Sequence, residues 1–458
     1  MCVETMMTLA DVAAATGGTI LRGSPHTSIS AVSTDSRAAF PGGLFVALAG
    51  ERFDGHDFVK DAASAGAGAA LIHHALKEDV AIPAVQVADT RLALGQLAGW
   101  WRGGWPGKMV ALTGSNGKTT VKEMIAAILR AATGDGDAVL ATQGNLNNDI
   151  GMPLTLLKLR KIHRYAVIEM GMNHLGEIDY LTHIARPQVA LINNAHRAHV
   201  GEVGSVEKIA QAKGEIFAGL PPDGVAVINA DDAFADYWRG LAAGRKQLGF
   251  GVGRGDVCAT FLEAGGATEV RFATPVGEIV TRLQVPGEHN VRNAAAACAA
   301  AIALGIAAQC IGAGLAQFAG AKGRLQRKAG CNGALVVDDS YNANPDSVAA
   351  AIAVLARAHG RKILVLGDMG ELGEGAPAMH EEIGDLARRS GLDALYAVGE
   401  LALRATHGFG AGAQHFASVE ALVDALRAEL APGATILVKG SRFMRMERVV
   451  DAITEPKE

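Results

Sequence analysis

The stretch that most restricts the fold is a short apolar run, Lys108-Met-Val-Ala-Leu-Thr113, feeding directly into a glycine-bounded loop, Gly114-Ser-Asn-Gly-Lys-Thr-Thr120. Beyond it, Val121, Met124, Ile125, Ile128 and Leu129 fall at i, i+3, i+4, i+7 and i+8, the spacing of one helix face. A strand, a tight loop and an amphipathic helix therefore follow one another, and the free amides of the first helical turn face the loop. Such a helix end attracts an anion. Lys118 is placed to meet terminal phosphates as a point charge, and the Thr119 hydroxyl to meet a magnesium ion. The usual phosphate-loop pattern has a glycine five places before Gly117, but that place holds Leu112, so the loop is shorter. Gly114, Ser115, Asn116, Gly117, Lys118, Thr119 and Thr120 are thus candidate nucleotide contacts, and the motif alone leaves ATP and GTP both open.

A chain of 458 residues points to about three domains, and its 49% hydrophobic share is enough for several cores. The net charge of -5, with acids and bases interspersed, provides no basic face to neutralise a nucleic-acid backbone, so nucleic acid is not an expected partner. Cys2, Cys258, Cys298, Cys310 and Cys331 show no paired spacing. That argues against a disulfide framework and a cysteine zinc site and fits a reducing cytoplasm. Glu4 and Asp11 interrupt the first apolar residues and no basic leader precedes them, so no secretory signal is expected. Residues 294–321 carry no charge and are long enough to span a bilayer. They are mostly Ala and Gly, broken by Gly305, Gln309, Gly312, Gly314 and Gln317, and lack the Leu, Ile and Phe that favour insertion. Two small-residue helices inside a globular domain are expected there, with no membrane insertion.

Residues 1–103 read as a small mixed α/β unit with strand-like runs at 44–48, 69–72 and 85–87, and 102–107 look like a linker. Over 104–328, the apolar runs 165–168, 189–192 and 225–228 are continuous, as buried parallel strands are, and predict a doubly wound sheet. Glu169, Asn193, Asn194, Asn229, Asp231 and Asp232 stand just past those runs, where open α/β sheets bind ligands. A plain helix-cap or turn role is the alternative, strongest for Asp232. Over 329–458 a second series of strands is predicted at 334–337, 362–366, 394–398 and 435–438. Its ends are polar again, at 338–340, 367–368 and 439–442. This reads as a Rossmann-like open sheet without the glycine fingerprint. Two such sheets facing each other make a cleft.

The loop at 113–120 resembles that of the muramyl (Mur) ligases and their folylpolyglutamate synthase relatives. Pro286-Gly-Glu-His-Asn-Val-Arg-Asn293, Gly323-Arg324 and Asp338-Asp-Ser-Tyr-Asn-Ala-Asn344 are similar to that family's other ATP-binding segments. The resemblance implies ATP as the nucleotide, with Asn290 and Asn293 at the adenine edge, Asp339 at the ribose and Arg324 reaching the phosphates. Ser33-Thr34-Asp35-Ser36-Arg37 and residues 44–58, with His56, look like a UDP-binding head that the folate relatives lack. Arg37 suits a phosphate fork. Asn145, Asn148 and Gly151 are implied to touch the muramoyl end. Residues 365–373, His380 and 438–442 are similar to the branch that adds D-alanyl-D-alanine, and the Asp-Asn-Pro-Arg of the tripeptide-forming relative does not occur. The dipeptide is then expected near Tyr341, Asn344, Lys439, Ser441 and Arg442. Gly370, residues 373–376 and His196-Arg197 sit where family variation is expected.

The resemblance implies amide-bond formation in peptidoglycan precursor synthesis. The terminal carboxylate of UDP-N-acetylmuramoyl-tripeptide attacks the γ-phosphate of ATP, and the D-alanyl-D-alanine amine attacks the resulting acyl phosphate to give the pentapeptide, ADP and phosphate. Two anions must meet in the first step, so Lys118 and two magnesium ions are expected to supply positive charge. Thr119 is expected to hold one ion, and Glu169 and His199 match the family's ligands for the other. Lys213 matches the lysine that becomes carbamylated and then binds magnesium. The plainer roles are a capping or core histidine for His199 and a helix-surface lysine for Lys213. Reactants spread over three domains imply a monomer whose cleft is open when empty and closes on its ligands. Two other readings stay open: a sibling ligase that adds a single amino acid, and a nucleotide-binding switch that kept the fold and lost the reaction.

Overall fold

The apolar runs become the strands of three large sheets in a computed structural model that describes residues 4–38, 40–51, 53–76, 80–197, 200–264 and 267–455. The first sheet holds β1 (Thr19–Arg22), β2 (Val32–Ser33), β3 (Leu44–Val46), β4 (Ala69–Ile72) and β5 (Ala84–Gln86) in the order β1-β5-β4-β3-β2. Only β1 runs antiparallel to its neighbour. Asp89 then caps α1 (Thr90–Gly103) by accepting from the Arg91 and Leu92 N–H groups. Leu94, Leu97 and Ala98 of α1 belong to one core that reaches from Leu44 and Val46 of the first sheet to Met109 and Ala111 of the second.

Residues 102–107 are therefore a packed joint rather than the linker their Gly, Trp and Pro content predicts. Arg102 is buried and donates to the carbonyls of Ala185 (3.0 Å), Trp105 (3.1 Å) and Arg186 (3.2 Å). Burial, reinforced by Arg186, lowers its pKa to about 10. The buried Trp105 indole donates to the His163 carbonyl at 2.9 Å.

The second sheet comprises β6 (Lys108–Thr113), β7 (Val139–Ala141), β8 (Tyr165–Glu169), β9 (Val189–Ile192), β10 (Val225–Asn229), β11 (Lys246–Val252), β12 (Val257–Ala264), β13 (Ala267–Ala273) and β14 (Ile279–Leu283). Their order is β14-β13-β12-β11-β10-β9-β6-β8-β7, parallel except where β13 pairs with β12 and β14. The predicted helix is α2 (Lys118–Thr133), with Val121, Met124, Ile125, Ile128 and Leu129 fully buried against the sheet. After α3 (Val206–Gly214), the charge-free stretch folds as part of α4 (Glu288–Ala303) and as α5 (Ala308–Gln317), both packed on α2. Small residues are needed for that approach, since a Cβ on Gly314 would stand 2.4 Å from Ile128 Cα. Among the described residues no helix is long and apolar enough to cross a membrane.

The third sheet holds β15 (Gln326–Ala329), β16 (Leu335–Asp339), β17 (Arg361–Gly367), β18 (Ala394–Val398), β19 (Ala413–Phe416) and β20 (Ala434–Lys439) in the order β15-β16-β20-β17-β18-β19. It is parallel apart from β15. Separate apolar cores cover its two faces, as an open parallel sheet requires. Asn344 caps α6 (Pro345–Ala356) in a reciprocal box with Ser347, and α7 (Ala376–Arg389) follows.

Candidate active site

The carboxyl end of β6 opens into the phosphate-type loop, where Gly117 has φ 77° and a Cβ would stand 2.5 Å from Asn293 Oδ1. Only glycine lets the loop turn there and lie against α4. No side chain caps α2, so its first N–H groups are left for the loop. Neighbouring strand ends brace the rest. The Ser115 N–H donates to Asn194 O (3.0 Å) and the Asn116 N–H to Asn194 Oδ1 (2.9 Å). Asn193 Nδ2 reaches Asn116 O (2.9 Å) and Asn293 Oδ1 (3.0 Å). Lys118 Nζ lies inside the loop and donates to Gly114 O at 2.6 Å. Burial lowers its pKa, and Glu169 works the other way.

Glu169, at the end of β8, is 3% exposed. Its Oε2 accepts from Thr119 Oγ1 at 3.0 Å and its Oε1 from Asn147 Nδ2 at 2.8 Å. Arg324 also donates to Thr119 Oγ1, at 3.1 Å, and its guanidinium carbon stands 4.4 Å from the Tyr341 ring centroid. Adjacent oxygens on an octahedral magnesium ion, bound at about 2.1 Å, stand about 3 Å apart, so Thr119 and Glu169 fit such an ion. Lys213 of α3 is not on the helix surface: it is 2% exposed, and no described residue hydrogen-bonds its ammonium. Burial, with Lys118 adding to it, sets its pKa well below the ordinary lysine value. His199 lies outside the described residues.

The third sheet supplies the opposite wall. Lys439 Nζ meets Asp339 Oδ2 at 2.6 Å and Asn342 O at 2.9 Å, and the Leu325 N–H reaches Asp339 Oδ1 at 3.1 Å. Burial pushes the Asp339 carboxyl up even against that ammonium. The cleft between the two sheets, about 550 Å³, is lined by the loop together with Asn145, Asn147, Glu169, Asn290, Asn293, Arg324, Asp339, Tyr341, Asn344, Lys439 and Arg442.

Several expected contacts have other work in the fold. Asn290 Nδ2 donates to Pro286 O (2.7 Å) and Asn293 Nδ2 to Asn290 Oδ1 (3.3 Å), so both line the cleft while bracing α4. Asn344 Nδ2 donates to Asn116 Oδ1 at 2.7 Å while its own Oδ1 caps α6, which ties the third sheet to the loop. Ser441 sits behind the cleft wall, accepting from the Gly370 N–H (2.7 Å) and donating to Ala343 O (3.1 Å). Asn148 accepts from the Gly151 N–H at 2.9 Å, and Gly151 abuts Leu146, so these two build a turn; its neighbour Asn147 is the one that reaches Glu169. Ser33 ends β2, Thr34, Asp35, Ser36 and Arg37 follow it, and none of the five lines this cleft. Arg37, its side chain 87% exposed, closes its fork on Asp35 at 2.8 and 2.9 Å, and that bond holds the carboxyl at about 2. His56 is buried with both ring nitrogens engaged, Nδ1 with Asp54 (2.6 Å) and Nε2 with the His73 N–H (3.0 Å). It therefore has no ring nitrogen to offer a uridine ligand, contrary to its expected role.

Arg197, where the sequence suggested only family variation, ties the two walls together. The Arg197 backbone N–H donates to Asp346 Oδ2 (2.8 Å), its Nε and one terminal nitrogen to Asp346 Oδ1 (3.1 and 3.0 Å), and the other terminal nitrogen to Glu382 Oε2 (3.1 Å). The Gly201 N–H adds a bond to Glu371 O at 3.0 Å. The second and third sheets are thus already clasped across the cleft.

Family models match in three consecutive segments: 28–101 to the Mur ligase family catalytic domain, 112–301 to the Mur ligase middle domain, and 323–442 to the Mur ligase glutamate ligase domain. The chain belongs to the Mur ligase family. It is 45% identical over 433 residues to the UDP-N-acetylmuramoyl-tripeptide–D-alanyl-D-alanine ligase of Escherichia coli (strain K12), spanning 93% of this chain and 94% of that one. A crystal structure of MurF from Acinetobacter baumannii superposes with a TM-score of 0.91 at 40% identity, covering 98% of this chain and 99% of its own. The MurF ligase of Thermotoga maritima in complex with ADP matches with a TM-score of 0.80 at 29% identity, covering 92% and 96%. In this chain the middle segment carries the nucleotide-type loop and the last segment the facing wall.

Proposed function

We propose that the chain is an ATP-dependent ligase that joins D-alanyl-D-alanine to UDP-N-acetylmuramoyl-tripeptide in the cytoplasm, acting as a monomer built of units 1–103, 104–328 and 329–458. The observation that carries this reading is the cleft itself, where a phosphate-type loop, a Thr119–Glu169 oxygen pair and a facing wall that carries Arg324, Lys439 and Arg442 converge, in a chain 45% identical to a ligase of that name. The loop amides and Lys118 would bind the ATP phosphates, with Asn290, Asn293 and Asp339 on the adenosine side and Arg324 reaching over Thr119. Thr119 and Glu169, with His199, would hold magnesium, which when bound neutralises the charge that otherwise keeps two anions apart.

One oxygen of the tripeptide carboxylate then attacks the γ-phosphorus, and the bond to the departing ADP oxygen breaks. The dipeptide amine attacks the acyl carbon, phosphate leaves with the former carboxylate oxygen, and the amine sheds its proton. Lys118 stabilises the developing charge from a site where burial strengthens its field. Lys213, favoured in its neutral form by burial, is suited to add carbon dioxide and release a proton, and the resulting carbamate anion would serve as a magnesium ligand. Ser33 to Arg37 would meet the UDP group, Asn145, with Asn148 and Gly151 shaping its turn, would meet the muramoyl end, and Tyr341, Asn344, Lys439 and Arg442, braced from behind by Ser441, would meet the dipeptide.

The test is phosphate release from ATP. With UDP-linked tripeptide present it should require D-alanyl-D-alanine and ignore single amino acids. Equal release with single amino acids points to a sibling ligase, and release independent of both substrates overturns the ligase reading.

A further inference from the structure

Outside the cleft, where β4 of the first sheet ends, three imidazoles pack together and two of them meet the Asp54 carboxylate. The ring centroids of His56 and His74 are 3.7 Å apart, those of His56 and His73 4.3 Å, and those of His73 and His74 4.9 Å. One ligand atom from each lies within 4.8 Å of the others. Asp54 accepts from His56 Nδ1 through Oδ1 (2.6 Å) and stands 2.8 Å from His74 Nε2 through Oδ2.

The hydrogen bonds fix where the protons are. His56 Nε2 accepts the His73 backbone N–H, so its proton sits on Nδ1 and goes to Asp54. Thr90 donates its own hydroxyl proton to Ala47 O (2.8 Å), so at 3.1 Å it accepts from His73 Nδ1. His73 Nε2 is then a lone pair to which no described residue donates. His74 Nδ1 faces the Ala75 carbonyl at 3.0 Å, which can only accept, so that nitrogen carries a proton. In neutral His74 the remaining Nε2 is also a lone pair, yet it faces a carboxylate oxygen. Two acceptors at that separation must share a cation, either a proton or a metal ion.

We propose that His73 Nε2, His74 Nε2 and the Asp54 carboxylate bind a divalent transition metal of the zinc–nickel class, with the His56 Nδ1–H orienting the carboxylate. Imidazole nitrogens with one carboxylate are the donor set such ions take, whereas magnesium takes oxygen. A ligand carboxylate steadied by a second hydrogen bond is the usual arrangement behind such ligands. The donors also come from fixed backbone, since His73 and His74 directly follow β4 and Asp54 accepts from the His56 N–H at 2.9 Å to start a helical turn.

The full-length protein, stripped of metal and kept free of magnesium, would be titrated with Co²⁺ and with Ni²⁺. The proposal expects one equivalent bound, visible d–d bands from nitrogen-ligated Co²⁺, and about tenfold or greater loss of affinity in both His73→Gln and His74→Gln. The wild-type Co²⁺ spectrum keeps the test valid if either variant folds poorly. Absence of a nitrogen-ligated spectrum overturns the proposal, as does binding that both variants retain. So does a His74 ring that titrates as an imidazolium in the presence of Ni²⁺.

Discussion

Removing the Arg197 side chain should weaken the clasp between the second and third sheets while leaving the nucleotide loop in place. The guanidinium bonds both Asp346 and Glu382, but the three side chains are 34%, 28% and 49% exposed, so solvent screens each pair. Exposed pairs contribute about 0.2–1 kcal/mol each, and two guanidinium nitrogens on one Asp346 oxygen put that contact near the upper end. Arg197→Ala should therefore shift the closing equilibrium by about 1–2 kcal/mol, a factor of about 5 to 30. The Arg197 N–H to Asp346 and the Asn116–Asn344 contact survive the substitution, so ATP affinity should change little. The assay is steady-state phosphate release with the dipeptide varied, beside small-angle scattering of the substrate-bound protein. A fall in kcat/KM for the dipeptide within that range, a larger radius of gyration, and partial recovery in Arg197→Lys are expected. Added salt should mimic part of the loss in the wild type. If kcat/KM stays within about twofold and the scattering does not change, the clasp does not govern closure and the reasoning fails.

Lys213→Ala should lose about 10- to 100-fold in activity. Small added carboxylic acids should restore part of it by standing in for the carbamate, and a fully active variant would remove that role. His289, in the cleft, has its pKa lowered from 6.5 to about 4 by burial and by the nearby Lys439 and Arg292. The unfolded chain then takes up this proton first as pH falls, so the stabilising contribution is complete above pH 6.5 and is lost progressively towards about pH 4. Assigned histidine NMR should find the His289 ring still neutral at pH 5.5, and a normal titration of that ring near 6.5 would contradict this.

The core of the site was legible because its signals are local. The i, i+3, i+4 pattern of α2 and the four apolar residues before Glu169 fix both elements without any partner. The rest depended on distant contacts. Arg102 looked like part of a linker because the carbonyls that bury it lie 83 and 84 residues away. Asn147 was missed beside Asn145 and Asn148 because composition cannot tell which asparagine of a polar turn faces inward. His56 was expected to meet a ligand, but Asp54 and His73 already engage it. Strands β12 to β14 escaped notice because an antiparallel extension lacks the continuous apolar runs that marked the buried parallel strands.

The central claim is that this cleft activates a carboxylate by phosphorylation, and oxygen transfer tests it most directly. With UDP-linked tripeptide carrying ¹⁸O at both oxygens of its terminal carboxylate, ATP and D-alanyl-D-alanine, each phosphate released should contain one ¹⁸O atom. Amide formation accompanied by unlabelled phosphate would contradict the account.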